Sequence, residues 1–324
     1  MIRAYWSLDE IGPEAHGCAV SIGNFDGVHA GHRRIFRRVV ELAQERGLKP
    51  SVLTFEPHPT RVVAPARAPR LLSTPKQRIQ FMEQEGIQQA FVLPFDLTFS
   101  QLTPERFADE ILARGLGAKA VLVGDNFRFG NKQAGHVDTL RALGARLAFE
   151  VEVVPGLHLR GRMVSSSEAR TAIEAGDVSR ACRYLERSYT LEGSVVPGQG
   201  IGSKKTVPTL NLQTSAEVLP ATGVYITATR CLDTHRRWNS ITNIGYRPTF
   251  EGKELTIETV LLDPLVGETP KRIEVAFLRR LREERKFESP EALKQQIMRD
   301  VGRAQTYFRR TADIQQQRGR VLAS

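Results

Sequence analysis

Cysteine is scarce in this chain: only Cys18, Cys182 and Cys231 occur among 324 residues, far apart and odd in number. That argues against a disulfide framework and against a clustered thiolate metal site. Long apolar runs are missing too. The opening Met1-Ile2-Arg3-Ala4-Tyr5-Trp6 meets Asp9 and Glu10 where an export signal would be apolar, and no later run reaches membrane-spanning length. A cytoplasmic protein with no membrane partner is the expectation. Low-complexity tracts, internal repeats and blocks of like charge are also absent. The net charge of +10 is spread along the chain, with 22 basic and 16 acidic residues from Leu185 onward and 24 and 20 before it. Interleaved signs, as in Arg279 to Lys286, read as solvated faces rather than a nucleic-acid stripe, so no nucleic-acid partner is expected.

What is present is ordinary globular material, 41% hydrophobic and 25% charged, in a chain long enough for two domains. The first part alternates strand and helix signals. Apolar Ala19 to Ile22 leads through a glycine loop into Arg33 to Arg46, where Ile35, Val39 and Leu42 recur at helical spacing and Gly47 closes the helix. Further strand-like runs lie at Ser51–Phe55, Ala90–Leu93, Ala120–Val123 and Leu147–Val153, with helices starting near Thr74, Thr103 and Gly135. Such alternation implies a doubly wound parallel sheet, an α/β fold. A helical pair covers roughly Ser166 to Arg187, and then the texture changes. Six short runs, Gly193–Val196, Thr209–Leu212, Gly223–Leu232, Arg237–Ile244, Leu255–Leu262 and Arg272–Leu278, predict a small antiparallel β-barrel. Ser289-Pro290-Glu291 caps a C-terminal helix whose Leu293, Ile297, Val301 and Phe308 form the stripe expected to dock on the barrel. The domain boundary is placed at 186/187, giving 1–186 and 187–324.

The loop Gly23-Asn24-Phe25-Asp26-Gly27-Val28-His29-Ala30-Gly31-His32 carries the first chemistry. It has neither the dinucleotide fingerprint nor the Walker pattern. His29 and His32, three apart around Gly31, stand near a helix start whose free amides and dipole favour phosphate. Imidazole donors there suit charge developing on an α-phosphate and on departing pyrophosphate. Taken alone, the same two residues also read as helix-capping histidines or a metal pair.

The following segments make the pattern specific. Gly23–His32, Thr54-Phe55-Glu56-Pro57-His58-Pro59, Val123-Gly124-Asp125-Asn126-Phe127-Arg128-Phe129-Gly130 and Val164-Ser165-Ser166-Ser167-Glu168-Ala169-Arg170 resemble, in order, the bacterial bifunctional riboflavin kinase and FAD synthetase family. The resemblance implies a nucleotidyltransferase domain in which Gly23, Asn24, Phe25, Asp26, Gly31, Asn126, Ser165 and Ser166 bind ATP, with His29, His32 and Arg170 catalytic. Ser167 stands where Thr is usual, and Glu168 doubles as a capping-box partner for Ser165. Phe127 and Phe129 are left open between ligand contact and core.

Downstream, Gly198, Gly200 and Gly202 give a backbone free to approach an anion, and Thr209 and Asn211, two apart on an extended segment, face one side with oxygen donors suited to Mg²⁺. Pro208-Thr209-x-Asn211, Gly223-Val224-Tyr225, Asn243-Ile244-Gly245-x-Arg247-Pro248-Thr249-Phe250, Glu258-Thr259-x-Leu261-Leu262-Asp263 and Leu281-Arg282-x-Glu284-x-Lys286-Phe287 resemble the riboflavin kinase module of the same family. That resemblance implies ATP binding by the glycines, Mg²⁺ on Thr209 and Asn211, and Glu258 as the base that deprotonates the ribityl hydroxyl. The chain departs from the module at Gly202-Ser203-Lys204-Lys205-Thr206-Val207, where a Phe is lost, at Val260, where His is usual, and in the loop Pro264–Pro270. Lys204 or Lys205 is a candidate for a substitute phosphate contact, which mutation with measurement of ATP affinity tests. The expected function is therefore synthesis of FMN from riboflavin and of FAD from FMN, both using ATP and Mg²⁺. The alternatives are a nucleotidyltransferase for another phosphorylated acceptor with a ligand-binding barrel, and an RNA-binding protein. Oligomeric state is not legible.

Overall fold

Five consecutive buried residues, Cys18–Ile22, make a strand with no solvent face, which only a sheet covered on both sides accommodates. The computed structural model describes residues 1–197, 209–249 and 252–322; the chain divides into two units, Met1–Glu168 and Ala169–Ser324. In the first, the elements run β1 (Arg3–Tyr5), β2 (Cys18–Ile22), α1 (Ala30–Arg46), β3 (Lys49–Glu56), α2 (Pro59–Val63), α3 (Pro75–Gln84), β4 (Gln89–Pro94), α4 (Leu97–Ser100), α5 (Pro104–Arg106), which continues as a π-helix over Phe107–Gly115, then β5 (Ala118–Gly124), α6 (Val137–Leu147), β6 (Glu150–Val154) and a small hairpin of β7 (His158–Leu159) and β8 (Arg162–Met163). Strands β1 to β6 form one parallel sheet in the order β1-β4-β3-β2-β5-β6. Successive residues feed opposite layers. Val20, Leu53, Phe91 and Val121 pack on one face with Phe107 and Leu112, while Ala19, Val52, Val92 and Leu122 pack on the other with Phe36, Val39 and Leu42 of α1.

The expected α/β alternation is present, with three adjustments. Strand β1 is too short for its pattern to show in sequence. The run expected at Leu147–Val153 begins as a strand only at Glu150, because α6 keeps Leu147 and ends at Ala148, whose φ of 58° is left-handed. The helix near Thr103 is capped by that residue but turns π-helical after Arg106. Thr74 heads α3 in a full capping box: its Oγ1 accepts from Gln77 N at 3.2 Å while Gln77 Oε1 accepts from Thr74 N at 3.0 Å.

The second unit takes up α7 (Ser166–Glu174, begun in the first), α8 (Val178–Leu185), β9 (Tyr189–Val196), β10 (Thr209–Gln213), β11 (Gly223–Cys231), β12 (Arg237–Thr249), β13 (Gly252–Leu261), β14 (Arg272–Arg282) and α9 (Pro290–Leu322). The six strands close as an antiparallel barrel in the order β10-β13-β12-β11-β14-β9, as expected. Its interior mixes Tyr225 against Phe277 with a chain of buried hydroxyls. Thr229, Ser240, Thr227, Thr242 and Thr259 link in sequence at 2.8 to 2.9 Å, so each polar side chain has a partner away from water. Burial pushes the Tyr225 phenol up to about 12.

Ser289 caps α9 as read from sequence, its Oγ accepting from Ala292 N at 3.1 Å. The docking stripe is corrected. Leu293 and Ile297 are exposed; the inward face is Gln296, Asp300 and Ala304, four apart, joined by Val301 and Phe308 against Val224, Ile226 and Ile241. Asp300 accepts from Arg282 Nε at 2.8 Å and from Gln296 Nε2 at 2.9 Å, so the first turns are fastened by a polar clasp. Replacing Asp300 with Ala strands a largely buried guanidinium and is expected to lower stability by roughly 3–5 kcal/mol, whereas Leu293→Ala is expected within about 0.5 kcal/mol of wild type. Denaturant unfolding of the two variants checks the order.

Candidate functional site

In the parallel sheet the strand order reverses between β2 and β5, so the loops leaving their carboxyl ends diverge and open a crevice. Those loops are Gly23–His29 and Gly124–Gly130, two of the segments singled out by sequence. A cleft of about 900 Å³ occupies the place, lined by Gly23, Asn24, Phe25, His29, Gly31, His32, Asn126 and Ser165 among others.

The first loop is bent by left-handed backbone at Phe25 (φ 49°), Gly27 (φ 71°) and Val28 (φ 37°). For Phe and β-branched Val this is strained geometry. His29 then caps α1, its Nδ1 accepting from His32 N at 3.4 Å, and the two imidazoles stack with centroids 3.6 Å apart and planes at 20°. The Phe25 ring meets His32 edge-on at 5.1 Å and Phe36 at 4.9 Å. Gly31 leaves room for this stack: a Cβ there would lie 3.1 Å from the His29 ring, a tight contact that would press on it. Both rings thus line one cleft at the start of α1.

Asp26 turns the other way. It is buried, and its carboxylate accepts from Leu72 N at 2.9 Å and Ser73 N at 3.2 Å. Its own carbonyl accepts from Ser166 Oγ at 2.8 Å, tying the start of α7 to the loop. Ser165 lines the cleft while its Oγ accepts from Glu168 N at 3.2 Å, so cap and cleft wall coincide in one residue. Glu168 lies 3.7 Å from Arg162. Arg170 stands one turn into α7, half-buried.

Asn126 is exposed at the cleft. The open choice over its neighbours does not divide them: Phe129, at 6% exposure, and Phe127, stacked on it at 5.5 Å, both pack on the core and both line the cleft. With Phe55, Phe95, Phe99 and Phe107 they give one wall an aromatic, apolar surface. Cys18, at the root of β2, is no nucleophile, because burial pushes its thiol up to about 12.

On the barrel, Asn211 of β10 stands opposite Glu258 of β13, which stands opposite Asn243 of β12, and Thr209 pairs one row away with Val260. Alternation puts Thr209, Asn211, Glu258 and Asn243 on one face, the face that carries Ile241, while Thr259 and Leu261 point inward. Gly198, Gly200 and Gly202, with Lys204, Lys205, Pro208 and Phe250, lie outside the described residues. Sequence reasoning gave no role to two residues that adjoin these segments. Asn243 was quoted in a motif with no role, and its signal is the strand register. Arg78 was not singled out; its signal is a cation four residues before buried Met82 on the apolar face of α3.

Comparison with known proteins also finds two parts. The FAD synthetase family model matches residues 12–168 and the riboflavin kinase model residues 185–308. A bifunctional riboflavin kinase/FMN adenylyltransferase of Pseudomonas fluorescens is 38% identical over 92% of this chain and 95% of its own length, and one of Haemophilus influenzae is 34% identical over 90% and 94%. A crystal structure described as a macrolide-efflux protein from Streptococcus pneumoniae superposes with a TM-score of 0.83 at 26% identity, covering 94% of this chain and 98% of that one. Among the described residues no helix is long and apolar enough to cross a membrane.

The loop's dependence on Asp26 is open to direct measurement. Asp26→Ala leaves the Leu72 and Ser73 amides without their buried acceptor and is expected to destabilise the protein by about 1–3 kcal/mol, whereas Asp26→Asn, which keeps one acceptor oxygen, is expected to lose less. Urea unfolding of both variants provides the comparison.

Proposed function

The chain belongs to the family of bifunctional riboflavin kinase/FMN adenylyltransferases, and from that premise we propose how its residues divide two ATP-dependent reactions. One chain makes FMN from riboflavin and FAD from FMN, with the FAD synthetase domain first and the kinase domain second. By chemistry the division falls at 186/187; helices α7 and α8 precede it because α7 carries Ser166 and Arg170. The setting is the cytoplasm, where riboflavin, FMN and ATP are met.

For adenylyl transfer, a phosphate oxygen of FMN attacks the α-phosphorus of ATP and pyrophosphate leaves. His29 and His32 donate hydrogen bonds to the triphosphate, where negative charge builds up on the α-phosphate and the leaving group. The amide end of α1 around Gly31 and the start of α7 at Ser165 and Ser166 add fixed positive dipoles, and Arg170 adds a full charge. Gly23, Asn24, Phe25 and Asn126 bound the nucleotide. The flavin ring lies along the wall of Phe127, Phe55 and Phe99, an apolar aromatic surface suited to its own. Asp26 serves the site by shaping the loop rather than by touching ATP.

For phosphoryl transfer, the terminal ribityl hydroxyl of riboflavin attacks the γ-phosphorus of ATP while Glu258 takes its proton. Thr209 and Asn211 are the candidate Mg²⁺ holders. Two neutral oxygens on one strand face suit an ion that keeps most of its water and shares substrate phosphates. When bound, Mg²⁺ neutralises charge on the ATP phosphates. Asn211 opposite Glu258 brings the phosphate side and the proton acceptor within a cross-strand spacing, and Asn243 flanks Glu258 on its other side. Gly198, Gly200 and Gly202 supply backbone donors to ATP in this reading.

The observation that carries the first site is the stacked His29–His32 pair at a helix start inside the switch-point cleft. The test follows riboflavin, FMN and FAD together. His32→Ala is expected to halt the chain at FMN, with adenylylation down about 10²-fold or more. Glu258→Ala is expected to abolish FMN formation while leaving FMN to FAD intact. Wild-type protein yielding no FAD from riboflavin, ATP and Mg²⁺, or adenylylating another acceptor in place of FMN, overturns the assignment.

A further inference from the structure

Arg78 is among the largest fully buried side chains of the molecule, 2% exposed inside the first unit. A cation so placed needs partners, and it has two. Its Nη1 donates to the backbone carbonyl of Asn24 at 2.9 Å, and its Nη2 donates to the carboxylate of Glu56 at the end of β3. Nε has no partner among the described residues. The Asn24 carbonyl also accepts from Thr54 Oγ1 at 3.3 Å, so this one peptide is gripped from two sides. A planar fork is what spans a carbonyl and a carboxylate at once.

Holding that carbonyl has a consequence across the peptide bond. The Asn24–Phe25 peptide is trans, so its C=O and N–H point in opposite directions. With the carbonyl drawn in toward Arg78, the Phe25 N–H faces away from α3, and Asn24 and Phe25 both line the cleft. The same restraint supports the left-handed φ of Phe25, and through it the contact of the Phe25 ring with His32.

We propose that Arg78 is a positioning residue for adenylyl transfer: it presents the Phe25 amide to an anionic oxygen of the bound triphosphate and keeps His32 in register with it. Glu56 is its counter-ion. The proposal rests on the adenylyltransferase reading of this cleft. It separates Arg78 from a core residue that merely adds stability, because a misplaced donor weakens nucleotide handling selectively.

The test uses the full chain, with Arg78→Met, Arg78→Lys and Glu56→Gln. Steady-state FMN adenylylation is measured with ATP and FMN varied separately, and riboflavin phosphorylation by the same preparation reports the intact second domain. Arg78→Met is expected to lower kcat/KM for ATP by about 10²-fold, the scale of a misplaced catalytic geometry, while the KM for FMN and riboflavin phosphorylation stay at wild-type values. Arg78→Lys, which keeps the charge but loses the fork, is expected to fall between Met and wild type, and Glu56→Gln to shift in the same direction. If Arg78→Met does not fold, Arg78→Lys and Glu56→Gln decide. Wild-type kcat/KM for ATP in these variants, or a KM for FMN raised as much as that for ATP together with a lowered Tm, overturns the role. Wild-type protein that makes no FAD from FMN and ATP defeats the underlying reading instead.

Discussion

The first site depends on keeping Phe25, Gly27 and Val28 in left-handed backbone, since only that bend brings the chain from the end of β2 to the start of α1 with both histidines inward. For the two residues with side chains this costs on the order of 1–3 kcal/mol each. The surroundings supply the restraint. Arg78 and Thr54 hold the Asn24 carbonyl, Asp26 holds the Leu72–Ser73 amides, Gly27 N donates to Ser73 Oγ at 3.0 Å, and Ser166 holds the Asp26 carbonyl. The ties come from four segments, at Thr54, Leu72–Ser73, Arg78 and Ser166, so the loop is over-determined rather than rigid in itself. The cost of ordering the loop for the proposed triphosphate is therefore met during folding.

That origin explains which parts were legible in the sequence. Helix starts and stops are local, and Thr74, Ser289 and Gly47 announce them by side-chain and backbone preferences that operate within one turn. Both-face burial leaves continuous apolar runs, so β2 to β5 were readable. The loop residues were recognisable as a family pattern, but their tasks were not: Asp26 looked like a ligand contact and is turned to the Leu72–Ser73 amides. Arg78 lay beyond reach because its two partners are 54 and 22 residues away in sequence. The α9 face was misread for a related reason. Hydrophobicity pointed to Leu293 and Ile297, whereas the first turns dock through Gln296 and Asp300, whose burial makes sense only once Arg282 is known to lie opposite.

The barrel solves a different problem with the same economy. A small closed barrel has room inside for side chains but not for substrate. Here the inside is filled by aromatic rings and a satisfied chain of hydroxyls, which fixes strand register as strictly as an apolar core does. Register in turn aligns Asn211, Glu258 and Asn243 in one row on the opposite face. A one-residue slip of β13 would bury Glu258 and expose Thr259, breaking its bond to Thr242. The interior network and the proposed base are thus two readings of a single constraint.

The two sites consequently differ in what disturbs them. In the first, much of the proposed chemistry uses backbone amides and helix ends, and side chains such as Asp26 and Arg78 act on them at one remove. Its sensitivity extends well outside the cleft, into α3 and the start of α7. In the second, the proposed groups are side chains standing directly on strands whose geometry the barrel closes upon itself. Substitutions there act mostly at the row they occupy, because neighbouring rows are held by ladders on both sides. Damage confined to one design is therefore expected to spare the other activity, which is the physical basis for using each half as the folding control of its partner.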